Sequence, residues 1–388
     1  MRVLLLCIPG RGRFEVLAPL AAALQQAGHA LRFAAPPRFA QHVRRMGFEC
    51  LEAGAETDEL NALLDAQLAE NGTAAMPASE RAATMFTRLY PERLLATLLP
   101  QLRDWRPALV LHEEGEFAGP LVAALVGARC ATVGWPVAMR PLQVLQNVTQ
   151  RMHAQWQAQG LQPPPYAGLY QRFIDTCPPT LQTEAAAAFP GAWALRPELV
   201  DGPPGSAADA LPEALLQPGE PVVHITLGTV DAYNQAPALL LRLLDGLQRE
   251  PVRVVLTTGA ALQSLDFSRY ANVHASAFIP HRQLLPHCDA VICHGGAGST
   301  IAALAHGLPL LIVPRGGASQ YRNAVHCERV GAGLHLSEEA ATAQAVGPAV
   351  AALLHQPGHR EAARRLQQEI AAMPAPADCA ERLLAWLH

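Results

Sequence analysis

Residues 293–324, CHGGAGSTIAALAHGLPLLIVPRGGASQYRNA, constrain the fold more than any other stretch of the chain. The apolar run Ala290–Val291–Ile292–Cys293 reads as a buried strand leading into it. His294–Gly295–Gly296–Ala297–Gly298–Ser299–Thr300 follows, a turn that only small residues make. A helix is expected from Ile301 to His306, stopped at Gly307, and Leu310–Val313 reads as a second buried strand closed by Pro314. Strand, glycine turn, helix and strand in this order are a βαβ unit. Glycines in its first turn allow positive φ and close backbone approach. The unpaired N–H groups and dipole of the helix after that turn favour an anion. Ser299 and Thr300 add hydroxyl donors. A lone glycine pair would read as an ordinary capped turn; His, three Gly, Ser and Thr within seven residues point to a phosphate site.

The remainder repeats this alternation. In the first half Val3–Ile8, Ala30–Ala34, Phe48–Glu52, Leu109–Leu111 and Ala131–Gly134 read as strands, with a glycine turn at Pro9–Arg13. Helices are expected at Val16–Ala27, Phe39–Met46 and 117–126, and over 58–104 with breaks at Asn71–Gly72, Pro77 and Pro91. The texture changes at 196–221, where six prolines and three glycines mark an interdomain crossing. Strands at Val222–Leu227, Val252–Thr257 and Val273–Ala277, and a helix at Ala236–Leu247, then restart the pattern. A chain of 388 residues exceeds the usual size of one core. The expectation is an α/β protein of two doubly wound, Rossmann-like domains facing a central cleft, with ligands at the strand C-termini.

Several function classes are disfavoured. No run reaches the roughly 18 apolar residues of a membrane helix, and the opening MRVLLLCIPG reads as a first strand rather than a signal peptide. A net charge of −4 without a basic cluster argues against nucleic acid. Eight scattered cysteines without a C-x-x-C pair suit buried thiols in a reducing cytoplasm, with no metal cage. The first turn, Gly10–Arg11–Gly12–Arg13–Phe14–Glu15, has Glu15 where a dinucleotide fingerprint wants its third glycine.

Residues 222–335 resemble the donor half of the GT-B glycosyltransferases, in particular the family 1 enzymes that decorate natural products from nucleotide-activated sugars. TLGT (226–229), NVHASAFIPHRQLLPHCDAVICHGGAGST (272–300) and GLPLLIVPRGGASQYRNA (307–324) lie in that family's order and spacing. The opening turn and helix ending in AGH (27–29), and RPALVLHEEGEFAGPLVAALVG (106–127), are similar less specifically. The resemblance implies an acceptor-binding domain at 1–200, a linker at 201–220 and a nucleotide-sugar domain at 221–375. A C-terminal helix at 376–388 would pack back on the first domain.

It implies roles as well. His294 would contact the diphosphate, with amides and hydroxyls of Gly296, Gly298, Ser299 and Thr300, and Thr229 near the same phosphates. Phe278 and Ile279, with Pro280, would frame the nucleobase. Ser319 and Gln320 take the place of an acidic residue and Gln that bind sugar hydroxyls. Ser319 in that place hints at a deoxysugar. Fixed dipoles stabilise the charge that builds on a departing nucleoside diphosphate. With no Asp-x-Asp pair in the chain, metal-independent transfer with inversion is expected, with no cofactor beyond the sugar donor itself.

The acceptor side departs from the family. Its histidine base lies sixteen residues before the His of AGH, which here is Arg13; the acid that holds it matches Glu113. An arginine is not deprotonated at accessible pH. Three readings stand open. Another group is the base, with Glu15 or the cluster His112, Glu113, Glu114 and Glu116 in reach. Or the acceptor is an amine, carboxylate, acidic phenol or carbon nucleophile, and Arg13 anchors an anion. Or the chain is a non-catalytic relative that binds nucleotide without turnover. His29 beside Gly28 suits a helix cap, His112 a strand-end core position or a site, and Trp135, Trp156, Tyr166, Tyr170 and Phe173 a pocket or core. The sequence reading is an inverting, metal-independent glycosyltransferase. Its donor would be a thymidine diphosphate (next, uridine diphosphate) sugar, its acceptor a small hydrophobic natural product, its assembly a monomer or homodimer. A nucleotide-sugar 2-epimerase is the second enzymatic reading.

Overall fold

The strand runs are aliphatic without a polar side because helices cover both faces of each sheet. The computed structural model describes residues 1–71, 76–137, 141–164, 171–198, 200, 211, 215, 218–228, 237–259, 265–315 and 317–387. The first sheet holds β1 (Arg2–Leu6), β2 (Ala30–Ala35), β3 (Cys50–Glu52), β4 (Leu109–Glu113), β5 (Arg129–Val133), β6 (Phe173–Asp175) and β7 (Trp193–Ala194). Their order is β3-β2-β1-β4-β5-β6-β7. The second holds β8 (Val222–Thr226), β9 (Arg253–Thr257), β10 (Val273–Ser276), β11 (Ala290–Cys293), β12 (Leu310–Ile312) and β13 (Gly333–His335), in the order β10-β9-β8-β11-β12-β13. Every pairing in both sheets is parallel. The two doubly wound domains of a GT-B fold are therefore present.

Period-two alternation along β1 builds two cores at once. Val3 and Leu5 join Leu17 and Leu20 on one face, while Leu4 and Leu6 join Leu94 and Leu98 on the other. Strand order reverses between β1 and β4, and again between β8 and β11. These switch points are where doubly wound sheets open a crevice at their carboxyl ends.

Six helices bear on the two crevices and on the joining of the domains: α1 (Arg11–Gln26), α2 (Tyr90–Trp105), α3 (Gly119–Val126), α4 (Ala297–Ala305), α5 (Ala318–Arg329) and α6 (Pro376–Leu387). Two of them begin earlier than their sequence implies. The Pro9–Arg13 turn ends at Gly10, whose carbonyl accepts the N–H groups of Arg13 and Phe14 at 3.2 and 3.1 Å. Likewise α4 starts at Ala297, because Gly296 caps it and accepts the Thr300 N–H at 3.0 Å. Small residues that read as turn therefore form the first helical turn. Pro91 does not break the chain either. A π-helical turn, Met85–Leu89, precedes it and joins the Ala78–Thr84 helix to α2, relieving the proline's missing donor and ring clash.

The last helix returns to the first domain. Cys379, Ala380 and Leu383 of α6 enter the core that also holds Val3 and Phe14, and Trp386 meets Trp193 edge-on at 6.2 Å. Cys177 and Leu181, before β7, pack into the second domain's core, and the Thr180 N–H reaches Glu369 at 2.8 Å. The linker expected at 201–220 lies almost wholly outside the described residues. Among the described residues no helix is long and apolar enough to cross a membrane.

Leu383 is fully buried, so Leu383→Ala should destabilise the protein by about 2–5 kcal/mol. Urea unfolding checks this; a loss below about 0.5 kcal/mol, the scale of a surface substitution, would make α6 an appendage.

Candidate active site

The second-domain cluster grows from the ends of β8 and β11. His294 follows β11 directly and is 8 % exposed. Its ring is held between two glycines: a Cβ on Gly228 would come within 2.6 Å of its Cε1, and one on Gly296 closer still. Gly295 has φ +81, and a Cβ there would meet Ile312 at 2.8 Å and the Gln320 carbonyl at 2.9 Å. Only glycine fits. The Asn323 amide of α5 donates to the Gly295 carbonyl at 2.6 Å and pins the turn. Burial, and then the Arg315 guanidinium, push the His294 imidazole down to about 4, so it is neutral at neutral pH. Its Nδ1 is shielded from solvent without a hydrogen-bond partner.

The N–H groups of Ala297, Gly298 and Ser299, in the first turn of α4, have no preceding helical carbonyl to bond. They and the neutral imidazole form a seat of dipoles, with the Arg315 guanidinium near enough to act on the imidazole. Such a seat takes a phosphate. Gly296, Gly298 and Ser299 are half-buried at this edge. Thr300 is turned inward instead, 1 % exposed, with its N–H already used. The hydroxyl expected from it does not reach the seat.

The other expected donor residues differ in exposure. Phe278 is 39 % exposed, whereas the Ile279 side chain is core, which leaves only its main chain to face a ligand. Ser319 lies half-buried in the first turn of α5. Gln320 is folded under it, its carbonyl accepting the Arg315 N–H at 2.7 Å. Thr229 lies outside the described residues.

The first-domain cluster sits where β1 and β4 end. Glu113 is fully buried. Its Oε2 accepts the Trp135 indole N–H at 2.7 Å and the Gly115 N–H at 2.5 Å; its Oε1 accepts the Ile8 N–H and Arg13 Nη1, each at 3.4 Å. Arg13 itself is flanked by the rings of Phe86 and Trp135, each 5.3 Å from its guanidinium carbon. An arginine–carboxylate pair thus lies between two aromatic faces, at the positions where the resemblance expects a base and its partner. The guanidinium is a permanent cation, and the carboxylate is held by four donors.

The neighbouring acids hold backbone amides. Glu116 accepts the Ala118 and Gly119 N–H groups at 2.9 and 2.7 Å, at the start of α3. Burial nevertheless pushes its carboxyl up to about 8. His112 is fully buried, its Nδ1 donating to the Glu116 carbonyl at 2.7 Å and its Nε2 accepting from the Thr132 hydroxyl at 2.8 Å. That tautomer is the one the partners require. Glu114 accepts the Trp135 backbone N–H at 3.0 Å. Glu15 faces the other way, across the cleft. Its Oε2 is 3.6 Å from where a Cβ on Gly298 would stand.

Of the aromatic candidates, Trp135 belongs to the site, Trp156 and Phe173 are core, and Tyr166 and Tyr170 lie outside the described residues. Phe86 was invisible in sequence, since nothing local ties position 86 to position 13. The cap expected of His29 is also corrected. Its Nδ1 lies 3.1 Å from the chain's own amino terminus, and burial, then that charge, lower its basicity.

Two overlapping family models match the chain: Erythromycin biosynthesis protein CIII-like, N-terminal domain, over residues 22–264, and its C-terminal domain over 242–386. L-demethylnoviosyl transferase of Streptomyces niveus is 33 % identical over 395 residues, covering 99 % of this chain and 98 % of the relative. The glycosyltransferase SnogD from Streptomyces nogalater has a similar structure, with TM-score 0.78 and 28 % identity over 100 % of both chains. So does SsfS6 from Streptomyces sp. SF2575, solved in complex with thymidine diphosphate, with TM-score 0.79 and 25 % identity over 100 % of this chain and 99 % of that one.

The buried histidine carries a pH signature. An unfolded His294 takes up a proton below 6.5, and the folded one refuses it until about 4. Its contribution is therefore present above 6.5 and lost as pH falls, by roughly 3 kcal/mol at pH 4. Glu116 has the opposite sign: its folded pKa of about 8 lies above the ordinary 4.5, so stability is lost as pH rises through that window. His294→Gln should accordingly flatten the fall in melting temperature between pH 7 and pH 5 relative to wild type. An unchanged slope would mean that His294 is charged in the folded protein.

Proposed function

The chain belongs to the family of erythromycin biosynthesis protein CIII-like glycosyltransferases, enzymes of natural-product and antibiotic biosynthesis, and we propose a specific reaction for it within that family. It transfers a deoxysugar from thymidine diphosphate, with inversion and without a metal ion, to an apolar acceptor whose nucleophile needs no protein base at position 13. The saturation of Glu113 by four donors, one of them Arg13, is the observation that carries this reading.

The donor side follows from the second-domain seat. The sugar's anomeric carbon is attacked as its bond to the diphosphate oxygen breaks, and the electron pair leaves on the diphosphate. Dipoles already aimed at that oxygen stabilise the developing charge more than the ground state. The Gly298 and Ser299 amides and the neutral His294 are such dipoles. Thymidine diphosphate is favoured by the ligand in the SsfS6 structure, and a deoxysugar by Ser319 in place of an acidic residue. Phe278, whose ring is exposed, is assigned to the base.

On the acceptor side, a carboxylate, an acidic phenolate or an amine brings its own lone pair. Arg13 presents a guanidinium to it, braced by two rings and by Glu113. Braced arginine forks bind planar anions well. The anionic acceptors of this set are therefore preferred, with the apolar body lying along the first domain. All eight cysteines are buried free thiols, which suits a reducing cytoplasm.

The test is transfer from a thymidine diphosphate deoxysugar to carboxylate, phenol, amine and aliphatic alcohol acceptors, with chelator present. The carboxylates and phenols should react and the alcohols should not. Removing the Arg13 fork should raise KM for an anionic acceptor about tenfold to a hundredfold, the scale of a charged hydrogen bond, with little change in nucleotide affinity. Because Arg13→Ala alone would strand a buried carboxylate, the Arg13→Ala, Glu113→Gln double variant is the cleaner comparison. Equal turnover of simple alcohols, or conversion of the nucleotide sugar with no acceptor, would overturn the reading.

A further inference from the structure

The four donors around Glu113 do not hold it equally. Arg13 Nη1 and the Ile8 N–H each lie 3.4 Å from its Oε1, beyond the usual hydrogen-bond range, whereas the Trp135 indole N–H reaches its Oε2 at 2.7 Å. One long contact does not fix the plane of a guanidinium on a flexible stem. Trp135 has the means to do so. Its backbone N–H donates to Glu114 at 3.0 Å and its indole N–H to Glu113, so two successive acids hold it at both ends. Its ring then stands 5.3 Å from the Arg13 guanidinium carbon. Gly115 supplies the room. It has no positive φ that would require a glycine, yet a Cβ there would come within 2.8 Å of Trp135 Cζ2 and 2.9 Å of both Arg13 Nη1 and Glu113 Oε2.

We propose that Trp135 is a positioning residue for the acceptor: it sets the plane of the Arg13 guanidinium, and Gly115 leaves the room that lets it do so. The inference rests on the reading of Arg13 as the anchor of an acceptor anion. The five donors of a guanidinium lie in its plane. A ring laid against its face therefore leaves donors only at the edge, and an anion meets them there. Fixing that edge favours an acceptor with two coplanar oxygens, because both accept at once. A phenolate, with one oxygen, gains less from a fixed plane, and an amine gains nothing. Of carboxylate, phenolate and amine acceptors, the carboxylate is thus the one that Trp135 selects.

Benzoate and benzamide probe this, since they share a shape and differ in charge. Their binding to the intact enzyme is followed by ligand-observed NMR in wild type, Trp135→Phe, Trp135→Leu and Gly115→Ala. Wild type should prefer benzoate about tenfold, the scale of a charged hydrogen bond. Trp135→Leu removes ring and indole N–H but leaves Glu113 three donors. It should cut the preference to less than about threefold, with benzamide unchanged. Trp135→Phe, which keeps a ring, should fall between the two. Gly115→Ala retains Arg13, Glu113 and Trp135 but crowds them; it should match Trp135→Leu, and it tests the same claim if the leucine variant does not fold. A preference kept in both Trp135→Leu and Gly115→Ala would overturn the positioning role and leave the anchoring by Arg13 intact. Equal weakening of benzoate and benzamide would overturn it as well, because the effect would then not lie in the plane of the fork. Ionised 4-nitrophenol should lose less than benzoate in Trp135→Leu, and equal loss would sink the selection of carboxylates. No preference in wild type would overturn the anchoring by Arg13, and the positioning role with it.

Discussion

A fully buried carboxylate at the end of β4 organises the acceptor half of this enzyme. Burying an uncompensated charge costs far more than a typical domain's net stability, so Glu113 persists only because four donors surround it. Those donors come from the turn after β1, the turn after β4, the Trp135 indole and α1. Each of these segments is therefore fixed relative to the others by one group. Arg13 is the member with freedom to do more, since it is partly exposed and carries donors beyond the one it gives to Glu113. A histidine in its place would be held ready to accept a proton. On the proposed reading, an arginine there receives an anion.

The second domain answers with the same economy of charge. Its seat is built of N–H dipoles and an imidazole that burial, and then the Arg315 guanidinium, keep neutral. Neutral donors release a leaving group more readily than a fixed ion pair would, while still stabilising the charge that appears in the transition state. The two halves are thus complementary. On the proposed reading, one domain holds a cation for the incoming nucleophile and the other holds dipoles for the departing diphosphate.

The architecture was largely legible in sequence, and the reasons are physical. Strands covered on both faces advertise themselves as aliphatic runs, and Ala290–Cys293 falls where its residues placed it. Glycines that must accept a clash-free approach mark the second site, as Gly228, Gly295 and Gly296 do around His294. Helix starts were less legible, because Gly, Ser and Thr in α4 look like turn until Gly296 is seen to cap them. The acceptor site was least legible of all. HEEGE reads as a cluster within reach of the cleft, but His112 and Glu116 turn inward, the latter to hold the α3 amides where Ser, Thr, Asp or Asn is usual. The stacking of Phe86 and Trp135 on Arg13 joins positions far apart in the chain, and no local pattern encodes it.

The most direct measurement is calorimetry of the intact enzyme with thymidine, uridine and guanosine diphosphates, each with magnesium and with chelator. The account predicts one site, selective for thymidine diphosphate, with the same affinity in both conditions. Binding that requires magnesium, or no binding of any of the three, would contradict it.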